Sequence, residues 1–239
     1  MIDQTPASFW VTHPDNTFIG NHAAGSEHYG FWFDLQKHPT GPSADTNVCP
    51  RNAKLGEFDS NVSHSNNKYG LRIHDTHLPR TYPCLSMSTD PTDSANPHIL
   101  ANYKNHLSYK NRKNGVIAEE VGYVQFTDAI VADNAVAGLE VSLTDKIDDG
   151  YAMITGATII GRSDNAEEDF VSSSSPQYGV ITPRSENFSI KDTKFFDFNW
   201  SDDREYAAIG TCSHCFHGAS TDSGARTVTV SGLEFDNVE

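Results

Sequence analysis

The sequence predicts an all-β fold, a right-handed parallel β-helix with long irregular loops. Three observations predict it. The apolar residues fall in many short runs rather than long periodic ones, and Gly, Asn, Asp, Ser and Thr punctuate nearly every run. A unit of strand, bend and second strand also recurs at roughly 20–30 residues, the rhythm of a solenoid. In such a fold a single coil cannot bury its apolar face, so inward side chains must stack on those of neighbouring coils. A β-sandwich also uses short strands and turns. It would need tight hairpins, however, and Asn114-Gly115 is the one Asn-Gly pair in the chain.

Taken in order, residues 1–63 read as a loop-rich leading part. Short runs such as Phe31-Trp32-Phe33 are broken by turn formers such as His38-Pro39-Thr40-Gly41-Pro42. The coils proper are expected over 64–239, in a single domain covering 1–239. Tyr69-Gly70-Leu71-Arg72-Ile73 follows an Asn-rich turn as the first of them. Residues 98–114, with His98, Leu100, Tyr103 and Leu107 behind Asn96-Pro97, suit one short amphipathic helix. Strands then follow at Val116–Ala118, Tyr123–Phe126, Ile130-Val131, Leu139–Leu143, Met153-Ile154 and Thr158–Gly161. The last set is Tyr178–Thr182, Phe188–Ile190, Lys194–Phe198, Arg226–Val230 and Leu233–Phe235. The polar start and the strand-like finish are those expected of a piece cut from a longer chain.

Charge narrows the partners. The net charge is −15 with only 17 Lys and Arg, scattered, which argues against nucleic acid because phosphate binding needs clustered cations. No apolar run is long enough to cross a membrane. Four cysteines, Cys49, Cys84, Cys212 and Cys215, permit two disulfides, of which Cys49 with Cys84 and Cys212 with Cys215 is the natural pairing, though sequence alone does not fix it. Sequons begin at Asn61, Asn187 and Asn199. Even cysteines and sequons, taken together with the family resemblance described next, point to an extracellular or cell-surface compartment.

Two blocks carry a resemblance to a known family. One runs from Phe9-Trp10-Val11-Thr12-His13-Pro14-Asp15-Asn16 through Gly20–Trp32 to His38–Ser43. The other is Gly179–Glu186 with Cys212–His217 and Thr221–Thr227. Together they resemble the β-helix region of the fibrocystin family, over nearly the whole chain. The first block is also similar to transmembrane protein 2 and the cell-migration-inducing hyaluronan-binding protein. The resemblance implies β-helix repeats in a large extracellular or membrane-anchored protein. Fibrocystin relatives are surface and ciliary-coat proteins without an established catalytic activity, whereas the hyaluronan branch is linked to depolymerisation. The G8 module implicated in that activity is not recognisable here, so no catalytic residue carries over.

The residues themselves offer several sites. Glu27 and His28 pair an acid with an imidazole and could move a proton on a sugar, although neighbours in a strand face opposite ways. Cys212, His214, Cys215 and His217 are all potential zinc ligands. Four ligands within six residues close poorly around one ion, and a disulfide suits them better. His74 and His77 form a further metal-binding pair, with solvated loop histidines the commoner case. No cofactor is expected; calcium is the cation that would suit the acidic clusters at Asp145, Asp148 and Asp149 and at Asp164, Glu167, Glu168 and Asp169. Trp10, Trp32 and Trp200 are assigned to core packing ahead of sugar stacking. The function expected is an extracellular scaffold that contacts other proteins or its own copies. The alternative is a polysaccharide-acting hydrolase or a carbohydrate-binding module.

Overall fold

A computed structural model describes residues 4–85, 95–144, 152–166, 177–183, 188–199, 206–211 and 228–238. Seven coils of three strands follow one another. They are β1 (Ala7–Val11), β2 (Thr17–Ile19), β3 (His22–Ala24); β4 (Tyr29–Asp34), β5 (Glu57–Asp59), β6 (Val62–His64); and β7 (Tyr69–His77), β8 (Ala101–Lys104), β9 (Leu107–Tyr109). Then come β10 (Asn114–Val121), β11 (Val124–Thr127), β12 (Ile130–Ala132); β13 (Ala137–Thr144), β14 (Ala152–Thr155), β15 (Thr158–Ile160); β16 (Gln177–Thr182), β17 (Phe188–Lys191), β18 (Lys194–Phe198); and β19 (Tyr206–Thr211), β20 (Val228–Ser231), β21 (Glu234–Val238). Every third strand pairs, giving three seven-stranded sheets, here called A (from β1), B (from β2) and C (from β3). All pairings within them are parallel, which makes the fold a parallel β-helix.

Two segments depart from expectation. The sheets begin at Ala7, so residues up to 63 supply the first coil and most of the second rather than a separate leading part. Residues 98–114 are not helical: they form β8, β9 and the start of β10. Asn105 and Lys110 lie in the left-handed region at φ 51° each and turn the chain between those strands, so the Leu100–Tyr103–Leu107 spacing is produced by corners and not by a helical face.

The corners explain the punctuation. Between sheets B and C the chain bends on one left-handed residue in every coil: Gly20, Ser60, Asn105, Asp128, Gly156, Asp192 and Gly232. Gly, Asn and Asp tolerate that conformation best, which is why they recur there. Inside, equivalent positions stack. Phe18, Phe58, Tyr103, Phe126, Ile154 and Ile190 form one column, and Phe31, Leu71, Val116, Leu139 and Val180 another. Large and small residues compensate around each coil. Ala23, Ser63 and Ser108 face the early core from sheet C, where the Phe and Tyr rings of sheets A and B fill the section. Gly70 sits opposite: a Cβ there would lie 2.1 Å from Ser108 Oγ and 2.4 Å from Ser63 Oγ, so only glycine lets sheets A and C meet.

A polar spine runs along the corner between sheets C and A. Asn66 Nδ2 donates to Asn111 Oδ1 at 2.9 Å, and Asn111 Nδ2 donates to Asn134 Oδ1 at 2.9 Å. The backbone amides of Ser26, Asn66 and Asn111 each donate to the side-chain oxygen of the next Asn along. All three Asn side chains are buried, so each bond replaces one that water would otherwise make. The buried Asn61 belongs to a parallel arrangement, with Nδ2 donating to Phe18 O at 2.8 Å and Oδ1 accepting from Asn21. This speaks against the Asn61 sequon as a glycosylation site, because a glycan on Nδ2 would displace its hydrogen bond to Phe18 O and has no room in the folded chain.

Removing Asn111 leaves several buried donors and acceptors unmatched. Asn111→Ala should therefore destabilise the fold by about 3 kcal/mol or more, against little change for Asn67→Ala, exposed in the equivalent turn one coil earlier, as read by urea unfolding. His77 and His106 are fully buried, and burial pushes each imidazole down from 6.5 to about 4, only partly offset by the carbonyls of Ala53 and Asn61. The unfolded chain binds the extra protons between those values, so stability should be complete above about 6.5 and fall as pH drops toward about 4. The slope should reach about 1.4 kcal/mol per pH unit per imidazole. Denaturation midpoints across that range test this, and a flat profile would contradict it.

Candidate functional site

Sheet A presents two rows of outward side chains, fixed by strand register. The first runs Trp10, Trp32, Arg72, Ile117, Glu140, Ile181. The second contains Asp34 opposite His74, with Glu119 beside them on β10. Because coils stack directly, Trp10 lies flat on Trp32, with ring centroids 5.4 Å apart and planes 10° from parallel. Trp10 is 61% exposed and donates from Nε1 to Asp34 Oδ2 at 3.3 Å. Gln36 Nε2 donates to Asp34 Oδ1 at 2.8 Å. Trp32 is buried under this stack and lies 6.1 Å from the His74 ring. Trp10 is therefore a surface platform and not a core residue, a correction that only the register supplies; Trp200 lies outside the described residues.

A β-bulge builds the second part. The pairing of β10 with β7 shifts between Ala118 and Glu120, so that His74 and Asp75 both oppose Glu119. Asp75 takes φ 61° to make the bulge. Bulges of this kind re-aim side chains, and positive φ at a non-glycine residue is often kept at functional positions. Glu119 Oε2 accepts from His74 Nδ1 at 2.8 Å and from the Asp75 amide at 3.0 Å, while Oε1 accepts from Arg72 Nε at 2.9 Å. Burial alone would raise the Glu119 carboxyl. The donors from His74, Asp75 and Arg72 outweigh it and hold the group down at about 2. Glu119 is thus an anion at any neutral pH and no proton donor; it orients His74, whose Nε2 has no hydrogen-bond partner among the described residues. Asp75 in turn receives Arg51.

At the other end of the strands, Tyr29 and Tyr69 stack with centroids 5.7 Å apart. Arg72 lies over both rings, Lys68 approaches Tyr29 and Lys113 approaches Tyr69. Burial lowers the Lys68 amine, with Lys113 and Arg72 adding repulsion. Three cations converge here in a chain of net charge −15. Beside Trp10 the face is walled by the loop after β4, leaving a cleft of about 480 Å³ between Trp10, Thr12, Asp34, Gln36 and Pro39. Flat rings, paired hydrogen-bonding groups and nearby cations are what a sugar polymer with acidic groups needs for stacking and orientation.

The other expected sites fall elsewhere. Glu27 is exposed in the turn before β4, and the His28 ring there lies tilted beside Tyr29 at 5.4 Å, so this pair lies at the edge of the face while His74 and Glu119 form its acid–imidazole contact. Cys49 and Cys84 form a disulfide that joins the loops after β4 and β7. Cys212, His214, Cys215, His217 and Asn187 lie outside the described residues, as do Asp145, Asp148, Asp149, Glu167, Glu168 and Asp169; Asn199 and Asp164 are exposed. His77 is a core residue with Nε2 3.1 Å from Ala53 O, which removes it as a partner to His74 in metal binding. The outer face of sheet C differs in kind: from β3 through β15 its strands hold no Asp, Glu, Lys or Arg. Sequence reading missed Arg72 and Glu119 because 47 residues separate them, and only coil register brings them together.

Glu119→Ala should cost about 2 kcal/mol at neutral pH, because it strands Arg72 and the Asp75 amide. In the parent protein this contribution should be present above about 4.5 and be lost as pH falls toward about 2. Comparing the two proteins by unfolding at neutral and acid pH checks both points.

Comparison with known proteins gives the kinship of the chain. A family model described as CEMIP beta-helix matches residues 2–71. Human fibrocystin-L is 34% identical over 207 residues, covering 82% of this chain and 4% of its own length. Human cell surface hyaluronidase CEMIP2 is 30% identical over 219 residues, covering 80% of the chain and 15% of its own. The mouse cell migration-inducing and hyaluronan-binding protein is 29% identical over 218 residues, again 80% of the chain and 16% of its own. The chain therefore corresponds to a small part of each relative.

Proposed function

This chain is a fibrocystin-like β-helix, related also to the cell surface hyaluronidases, and on that premise we propose that it is an extracellular scaffold whose sheet A face binds polysaccharide. The observation that carries the proposal is the Trp10–Trp32 stack, open to solvent at Trp10 and flanked by Asp34 and Gln36 in a cleft of sugar-ring dimensions. Sugar rings stack on exposed aromatic planes, and the Trp10 indole, held flat on Trp32, offers one. The name of the mouse relative, hyaluronan-binding, makes hyaluronan the first polymer to try. The Lys68, Arg72 and Lys113 cluster supports an acidic chain running along the same face. The outer face of sheet C from β3 through β15, whose strands hold no Asp, Glu, Lys or Arg, supports the scaffold half of the reading, because depletion of charge is characteristic of protein-contact surfaces.

A second reading, polysaccharide cleavage, is favoured by the proximity of His74 to Asp34 and Glu119. Against it stands Glu119, which its donors from His74, Asp75 and Arg72 hold as an anion, whereas glycoside hydrolysis by paired carboxylates requires one to donate a proton.

Affinity electrophoresis through gels containing hyaluronan, or an uncharged polysaccharide, tests the binding directly. Retardation by the parent protein should fall at least about tenfold in apparent affinity in Trp10→Ala, the loss of one stacking platform and its hydrogen bond. Lys68→Ala with Lys113→Ala should weaken hyaluronan binding alone. Equal retardation of parent and Trp10→Ala would refute the assignment of this face. Shortening of the polymer that disappears in His74→Ala would replace the scaffold reading with the enzymatic one.

A further inference from the structure

We propose that Cys49–Cys84 is a thiol–disulfide exchange site that regulates the Trp10 cleft: a small thiol of the glutathione class attacks Cys84, and Cys49 leaves toward His38. The regulatory half rests on the polysaccharide reading above; the exchange chemistry does not.

The two sulfurs are unequal. Cys84 is exposed, while Cys49 is only 6% exposed. An incoming thiolate therefore reaches Cys84 Sγ. His38 Nδ1 lies 3.1 Å from Val48 O and 3.4 Å from Cys49 Sγ. The carbonyl can only accept, so Nδ1 carries the proton and presents a donor to Cys49 Sγ as well. A donor at that sulfur stabilises it as a thiolate, and the better-stabilised thiolate is the better leaving group. In the first step a bond forms between the attacking sulfur and Cys84 Sγ, the Cys49–Cys84 bond breaks, and its electron pair goes to Cys49 Sγ. A second thiol then attacks the mixed disulfide, releasing Cys84 and an oxidised thiol dimer, so two thiols supply the two electrons.

The fold tolerates the cut. The roots of the joined loops are held without the disulfide: Leu78 N donates to Arg51 O, Arg80 N to Asn52 O, Asn52 Nδ2 to Leu78 O, and Arg51 meets Asp75. The tip is different. Over 38–48 the hydrogen bonds described are local, within Gly41–Ala44, Asp45–Val48 and His38–Val48. That same tip supplies Pro39 and Val48 to the cleft beside Trp10. Cutting the bond frees the wall of the cleft and leaves the coils stacked.

The test treats the intact chain with limiting glutathione and maps adducts by peptide mass spectrometry, which separates Cys84 from Cys49, Cys212 and Cys215. The expected result is an adduct on Cys84 with free Cys49, formed under native conditions. It should form several-fold more slowly in His38→Ala, with an unchanged circular dichroism spectrum. An adduct chiefly on Cys49, reaction only in denaturant, or an unchanged rate in His38→Ala would overturn the exchange assignment. The Trp10 contribution to fluorescence, taken as parent minus Trp10→Ala, and hyaluronan retardation are then read before and after reduction. A changed Trp10 signal with coils intact supports regulation, and an unchanged one refutes it. A changed Trp10 signal with no polymer binding in either state leaves the exchange site standing and removes the polysaccharide reading.

Discussion

The direct stacking of each coil on the last, strand over strand in parallel register, is the constraint from which the rest follows. Parallel pairing puts equivalent residues about 4.8 Å apart, so every position meets its own kind in the next coil or must be compatible with it. The Asn66–Asn111–Asn134 spine fixes that register at the corner between sheets C and A, because each amide can satisfy its neighbours only when coils are aligned. A one-residue slip would break the spine and turn a column of core side chains outward.

The same constraint makes the outer faces long, flat and chemically distinct. Sheet A gathers Trp10, Trp32, Tyr29 and Tyr69 with charged groups between them, while the early strands of sheet C are free of formal charge. Loops enter only at corners, so insertions leave the core section unchanged. The two that follow β4 and β7 grow on one corner in successive coils, which brings Cys49 within a disulfide of Cys84 at a Cα separation of 5.3 Å. The surface chemistry is thus assembled from residues 20 to 50 positions apart, held by a scaffold that is itself indifferent to what the outward side chains are.

How far the site was legible depends on the kind of signal involved. Trp10 and Trp32 are visible as unusual residues, but their spacing says nothing of facing direction until β1 and β4 are known to pair. The bulge at His74-Asp75 leaves no mark in composition, because Asp is also an ordinary corner residue at Asp128 and Asp192. Residues 98–114 mislead for a related reason. Two strands separated by a left-handed residue repeat their apolar side chains every three or four positions, as a helix does. The Asn61 sequon likewise matches a surface motif while its side chain serves the interior.

The sequence by itself determined the fold class, the kinship with fibrocystin-like proteins and the corner chemistry. Short apolar runs, αL-tolerant residues and the family blocks are local properties that survive without coordinates. Only the tertiary structure decided which residues share a face, that Glu119 is held ionised by His74, Asp75 and Arg72, that Asn61 is enclosed, and that a disulfide joins the loops after β4 and β7. The physical reason is that insertions make the coils unequal in length, so the spacing along the chain does not reveal which residues register aligns across it.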